Sequence, residues 1–380
     1  STEPDLTAGD ATAKSRAGLI LTGGGARAAY QIGVLKAVRE LLPMPEENPF
    51  SILCGTSAGA INAATLAVFA DNFDVAVSNL LEVWENMHVR YVYRADPLNV
   101  AKTGARWLAA MMLFSRSSPV SLLDNAPLGE MLARNLDFGR FQQNIDDGRL
   151  YAVSITCSGY SSGQSVSFYQ GGPDVRAWER SQRIGCAMPL RVEHLLASSA
   201  LPFIFPAVRI NREYFGDGTM RQIAPISPAL HLGADRVMVI GTGRQVTEAA
   251  RVRTQSYPTL AQIAGHALNS IFLDSLYVDI ERVERINRTL SIIPPERLQG
   301  GTPLRPVKVL VISPSQPIER VAARYLRDLP WTIRFLLRGI GAMNRNGSNL
   351  ASYLLFERGF CAELIDMGFR DTMERRREVL

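Results

Sequence analysis

The sequence predicts an α/β fold: a central, mainly parallel sheet flanked by helices in three layers, with extra helices towards the C-terminal end. Two short apolar runs carry the prediction. Leu19-Ile20-Leu21 leads into Thr22-Gly23-Gly24-Gly25-Ala26-Arg27, and Ile52-Leu53-Cys54 leads into Gly55-Thr56-Ser57-Ala58-Gly59. Each glycine-rich turn opens a helical pattern, and strands joined through a helix return parallel to one another. The third observation is that 47% of the 380 residues are hydrophobic, enough for a sizeable core.

The first strand is expected over about Ala17 to Thr22. Tyr30, Val34, Leu35, Val38 and Leu42 then recur at helical spacing until Pro43 and Pro45 end the helix. Phe50 to Cys54 forms the second strand, and Ala60, Ala63, Ala64 and Ala67 give the next helix a small-residue face for close packing. From Phe73 to Leu136 the patterns are helical, a helical insertion broken by turns at Asp96-Pro97 and Ser117-Ser118-Pro119. Within it the apolar stretch Arg106 to Arg116 reads either as a lid touching lipid or as a core helix.

Strands resume at Leu150 to Thr156 and Ser165 to Tyr169, joined by a Ser/Gly-rich loop. A helix from about Val192 to Ala200 stops at Pro202. Val208 to Ile210 and Glu213 to Phe215 then form a short hairpin that delivers Gly216-Asp217-Gly218. Arg236 to Ile240 and Val307 to Ile312 read as further core strands, and the chain after Pro314 is helical. In Leu329 to Arg338, Trp331 and Phe335 share one four-residue spacing and Arg334 and Arg338 another. That face suits an anionic membrane surface or packing on the core or a second subunit. The expected organisation is a flexible tail over residues 1–16, a core over 17–241, and an extension over 242–380 packed on the same domain.

Gly-x-Ser-x-Gly between a strand and a helix is a nucleophile elbow, which holds the serine hydroxyl exposed on a sharp turn. Ser57 is therefore the candidate nucleophile. Gly55 and Gly59 are required because the residues two before and two after the serine come nearly into contact. The first glycine run supplies what acyl transfer needs next, backbone N–H donors fixed towards one point; Gly23, Gly24, Gly25 and Ala26 are the candidate donors for an oxyanion. A nucleotide loop fits less well. The run lacks a Gly-Lys-Ser/Thr ending, and the third glycine of Gly-x-Gly-x-x-Gly would fall on Ala28.

Over roughly Ala17 to Gly241 the chain resembles the patatin-like phospholipases. Gly23-Gly24-Gly25-Ala26-Arg27 resembles that family's oxyanion loop and Gly55-Thr56-Ser57-Ala58-Gly59 its elbow. Phe215-Gly216-Asp217-Gly218 is similar to the element carrying its catalytic aspartate, and Ala197 to Phe203 with Pro206 is similar to a segment just upstream. The resemblance implies a serine and aspartate dyad, Ser57 attacking and Asp217 moving the proton, and hydrolysis of acyl esters of phospholipids or lysophospholipids without a cofactor. Thr219 departs from the glycine or alanine that often follows the Asp-Gly pair. Arg27 reads either as a ligand for a lipid phosphate or as a support for the loop.

A triad with histidine is the rival enzyme, since His231 and His266 follow Asp217; both sit in helical patterns, as do His88 and His194. A catalytically silent lipid-binding scaffold is the non-enzyme alternative. The formal charge of +5 is small for this length, and no sustained basic run points to nucleic acid. Of the 41 basic residues 37 are arginine, which suits phosphate headgroups. The four cysteines, Cys54, Cys157, Cys186 and Cys361, are widely spaced, implying neither a disulfide framework nor a metal site. With no signal peptide or apolar span apparent, the expectation is a cytoplasmic protein with peripheral membrane contact, and homo-oligomerisation stays open.

Overall fold

In the computed structural model the two apolar runs lie side by side. The structure describes residues 15–113, 121–243, 263, 266, 275–294, 304–339, 342–343 and 348–380. Strand β1 (Ala17–Leu21) is parallel to β2 (Ile52–Thr56), with Leu19 opposite Leu53. On the other side of β1 lie β9 (Arg236–Ile240) and then β10 (Lys308–Ile312), and β3 (Ala152–Gly159) flanks β2, all five parallel. Beyond β3 the sheet becomes mixed. β4 (Ser165–Gly171) is antiparallel to β3 and parallel to β6 (Arg183–Ala187), which pairs with the edge strand β5 (Trp178–Arg180).

Alternate residues of the central strands enter two separate cores, which is why the runs are apolar throughout rather than every second residue. Leu19, Leu21, Leu53, Met238 and Ile240 face one core with α1 (Ala29–Leu41) and α2 (Ala58–Val68). Ile20, Ile52, Cys54, Val237 and Val239 face the other, with α8 (Ser227–His231) and the helix Ser275–Ile292. The result is the expected three-layer arrangement. The insertion folds as α3 (Phe73–Glu85), α4 (Pro97–Leu113) and α5 (Ala126–Asn135), and α6 (Gly139–Asp146) follows it. No helix among the described residues is long and apolar enough to cross a membrane.

Several expectations need correction. β5 and β6 were not anticipated, because both are short and rich in arginine; Tyr169 stacking on Trp178 at 5.1 Å, with Gly185 leaving room for the indole, builds that edge. Helix α7 (Val192–Ser198) ends two residues short of Ala200. His88 is extended rather than helical and bridges to Glu357, its Nδ1 lying 3.0 Å from the carboxylate. The choice between lid and core helix for residues 106–116 rests on side chains outside the described residues; of the tail expected over residues 1–16, residues 1–14 lie outside them too, while Ser15 and Arg16 are hydrogen-bonded to Asp235.

The C-terminal helix Arg358–Glu374 crosses α1 at close range because both helices carry glycine there. A Cβ on Gly33 would come within 1.9 Å of the Ile365 carbonyl oxygen, and one on Gly368 within 2.2 Å of that of Tyr30. Tyr30 Oη adds a 2.9 Å hydrogen bond to Asp371. Filling this crossing forces the helices apart, so Gly368→Leu is expected to lower unfolding stability by about 1–3 kcal/mol. Urea unfolding checks it, an unchanged midpoint being the contrary result.

Candidate active site

Ser57 follows the last residue of β2 and stands at the N-terminus of α2, with φ 56° and ψ −132°. That left-handed backbone is strained for a serine, on the order of 1–3 kcal/mol. Two glycines make the turn sterically feasible: a Cβ at Gly55 would lie 2.4 Å from Ala60 Cα, and one at Gly59 2.3 Å from the Leu21 carbonyl oxygen. The turn is also tied down from α7. Ser57 N–H donates to Ser198 Oγ at 2.8 Å, and Ser198 Oγ donates to the Thr156 carbonyl at 2.6 Å.

Asp217 ends strand β8 (Glu213–Asp217), which forms a hairpin with β7 (Val208–Ile210) and pairs with the far end of β3. Its Oδ2 accepts from Ser57 Oγ at 2.7 Å. Its Oδ1 accepts from Thr219 twice, from the N–H at 3.0 Å and from Oγ1 at 2.6 Å. Asp217 is fully buried, and burial pushes its carboxyl up to about 6, against the opposing hydrogen bonds from Thr219 and Ser57. Gly218 is no ordinary turn glycine, since a Cβ there would stand 2.0 Å from the Thr156 carbonyl oxygen.

Gly23 to Ala26 are fixed by contacts from two later segments. The Gly23 carbonyl accepts from Thr242 Oγ1 at 2.5 Å, and Gly25, at φ 54°, lies against the Tyr353 carbonyl, 2.3 Å from where a Cβ would be. The first hydrogen bond of the 3-10 turn Gly25–Ala28 runs from Arg27 N–H to the Gly24 carbonyl at 3.1 Å. The amides of Gly24, Gly25 and Ala26 precede it, outside the turn's own bonding. Gly25 and Ser57 line one pocket, whose walls are otherwise almost entirely apolar: Ile61, Trp84, Met87, Leu128, Leu201, Phe205 and Phe356 among them. The pocket continues into a groove between α2, α3 and α5, with Ile61, Val83, Trp84, Met87 and Met131 common to both. Ser199 Oγ, on the pocket wall, is buried without a hydrogen-bond partner among the described residues.

Of the two readings of Arg27, its contacts favour support of the loop. Its guanidinium is buried over the Tyr353 ring, 4.0 Å from the centroid, and Nε donates to Ser352 Oγ at 2.7 Å. Nη2 donates to the Asn349 carbonyl at 3.2 Å and to Asn349 Oδ1. All of these partners belong to the helix Ser348–Leu354, so Arg27 fastens the loop to the C-terminal segment.

Among the described residues no histidine bonds to Ser57 or Asp217. His231 stacks on Trp178 at 4.9 Å, and burial lowers it to about 4. His194 Nδ1 accepts from the Arg191 N–H at 3.0 Å, with its ring against Phe168, and His266 is exposed. No group of three or more His, Cys, Asp or Glu among these residues could hold a metal.

The sequence matches the family model for patatin-like phospholipases over residues 19–230, more than half of its length. The chain belongs to the patatin-like phospholipase family. It is 29% identical to a cGAMP-activated phospholipase of Pseudomonas aeruginosa over 213 residues, 56% of this chain and 55% of the relative. It is 46% identical to a cUMP-AMP-activated phospholipase of Escherichia coli over 50 residues, 13% of this chain and 16% of that one. The chain thus spans about half the length of the first relative. Among solved structures, human GIVD cytosolic phospholipase A2 matches at 11% identity and a TM-score of 0.42, covering 96% of this chain and 60% of that one. VipD from Legionella pneumophila matches at 13% identity and a TM-score of 0.34, covering 96% and 67%. Likenesses so distant carry no functional argument.

Two residues to which sequence reasoning gave no role, Ser198 and Thr219, hold the elbow and the carboxylate. Ser198 lies inside the family-like segment Ala197 to Phe203, and the Thr219 departure, which reads as a weaker motif, proves to be a second hydrogen-bond donor. Removing that donor from a carboxylate favours its protonated form. If Asp217 must be ionised to work, Thr219→Val is expected to move the acid limb of kcat/KM, near pH 6 in the parent, to higher pH, while Thr219→Ser restores it. An unmoved limb in Thr219→Val would count against this. For Arg27→Ala, hydrolysis of phospholipid and of a short soluble ester should fall together, by about tenfold or more; a loss confined to phospholipid would return Arg27 to the headgroup.

Proposed function

We propose that the chain hydrolyses acyl esters of phospholipids or lysophospholipids through a Ser57–Asp217 dyad. The observation that carries this is the direct 2.7 Å hydrogen bond between the two buried side chains, with no histidine between them. Ser57 Oγ attacks the ester carbonyl carbon as its proton passes to Asp217 Oδ2. The tetrahedral oxyanion forms in front of the Gly23–Ala26 amides, whose positions are set before the reaction begins. Collapse expels the alcohol, which takes the proton from Asp217 and leaves an acyl-serine. Water then attacks the acyl carbon and gives its proton to Asp217, and the proton returns to Ser57 Oγ as free fatty acid departs.

An aspartate at its ordinary pKa is a weak base for this task. Burial brings Asp217 up to about 6, closer to neutral working pH. The apolar pocket and groove supply the acyl-chain site, where each buried methylene is worth about 0.8 kcal/mol. Long acyl chains follow as the favoured substrates. A cytoplasmic location belongs to the same proposal and accords with the four free cysteines. The relatives' names add gating by a cyclic nucleotide as a part of the proposal that needs its own arm in the assay.

Purified protein, Ser57→Ala and Asp217→Asn are assayed for fatty-acid release from phospholipid, lysophospholipid and a short nitrophenyl ester, each with and without cGAMP and cUMP-AMP. Both variants are expected to lose about 10³-fold or more in rate, and a fluorophosphonate to label the parent at Ser57 alone. A folded parent that neither labels nor hydrolyses in any arm would favour the silent scaffold.

A further inference from the structure

We propose that the outer face of the helix Trp331–Gly339 docks the protein on an anionic phospholipid surface. The inference rests on the lipid-hydrolysis reading, which requires the protein to meet its substrate in a bilayer. Thr332, Ile333 and Leu337 are buried, so the helix has already used its inner face against the core. Trp331 and Phe335, four residues apart on the opposite face, are 61% and 72% exposed. Scattered exposed hydrophobic residues are normal, but two large aromatic rings aligned on one helix are not explained by packing.

Charge selects the occupant. The recess around these rings is lined by Arg327, Trp331, Arg334, Phe335, Arg338 and Met343, with no carboxylate. No ion pair among the described residues engages Arg327, Arg334 or Arg338; Arg334 Nη1 donates only to the Arg327 carbonyl, at 3.0 Å. Three uncompensated guanidinium groups around two aromatic rings match a layer of phosphates over an apolar interior. A second copy of this chain would have to present carboxylates to the same recess.

The face also leads to the site. Thr332 Oγ1 donates to the Ala95 carbonyl, which joins this helix to the segment just before α4, and Leu98 in the first turn of α4 is 80% exposed. Pro330 shares a recess with Arg90 and Arg94. Next to Arg90 stands Tyr91, 39% exposed, on the lip of the groove that runs to the Ser57 pocket. Exposed side chains of Leu98, Arg90 and Tyr91 therefore lie between the helix and the groove mouth, with Asp96 and Glu357 also lining the connecting recess.

Binding is measured on the 380-residue chain carrying Ser57→Ala, which leaves the vesicles intact, by co-sedimentation with phosphatidylcholine vesicles with or without phosphatidylglycerol. Binding is expected only with the anionic lipid and should weaken as salt rises. Each arginine removed is expected to cost about fivefold in partitioning, so Arg334→Gln with Arg338→Gln loses more than tenfold, as does Trp331→Ala with Phe335→Ala. In the Ser57-intact chain both double variants should keep the parent's rate on the soluble ester, which separates failed docking from misfolding. Equal binding of variants and parent overturns the proposal, as does a change of oligomeric state on gel filtration without vesicles, which assigns the face to a second copy. Binding without hydrolysis in the parent overturns the catalytic reading alone.

Discussion

A hydroxyl and a carboxylate that meet 2.7 Å apart in a buried site require two separate strand ends to be held in fixed register. Here β3 sets that register. Thr56, the last residue of β2, lies opposite Thr156, and Asp217, the last of β8, lies opposite Cys157, the next residue of β3. Ser57 and Asp217 thus arrive along the same edge of β3, the other edge being taken by β4, at adjacent levels, one through parallel and one through antiparallel pairing. A slip of one residue in either pairing would turn the side chain to the other face of the sheet. Because both faces of β3 are fully buried, such a slip would put the wrong residues into both cores.

Patterns that are local in the chain were legible in the sequence. The apolar runs, the glycine turns, the alanine-rich helix after Ser57 and the hairpin before Asp217 all combine neighbouring residues, and their physical reasons are steric and local. Contacts that depend on distant chain segments were not legible. Ser198 reaches the Ser57 amide from a helix 141 positions away, and Arg27 reaches Ser352 over 325 positions. The edge strands β5 and β6 likewise depend on Trp178 stacking between Tyr169 and His231, a cross-element arrangement with no short-range signature. Thr219 marks the boundary: its place beside Asp217 was visible, but its two hydrogen bonds to Oδ1 required the turn geometry.

The segment that matches the family, residues 19–230, does not by itself complete the site. The carbonyl of Tyr353 sits where a side chain on Gly25 would go, and the Arg27 guanidinium is enclosed by Asn349, Ser352 and Tyr353. Tyr353 and Phe356 form part of the pocket wall. The same stretch is held from the insertion, by Tyr93 Oη donating to the Leu354 carbonyl at 2.9 Å and by the contact between His88 and Glu357. Loop, insertion and C-terminal segment are therefore tied together by direct contacts through residues 349–357.

Those contacts have to offset the strain the site imposes. The left-handed backbone at Ser57 costs on the order of 1–3 kcal/mol. Raising Asp217 from 3.8 to about 6 means that the fold binds the proton more tightly than the open chain, so its contribution to stability is present at acid pH and is lost as pH rises through about 6. At neutral pH that loss is about 3 kcal/mol. Both costs fall on the two residues that approach one another. Neither could persist at a flexible surface turn, where the serine would relax to ordinary backbone and the carboxylate would regain water. They persist here because the backbone at positions 55, 59 and 218 is packed so closely that no Cβ would fit, and because the surrounding cores resist expansion.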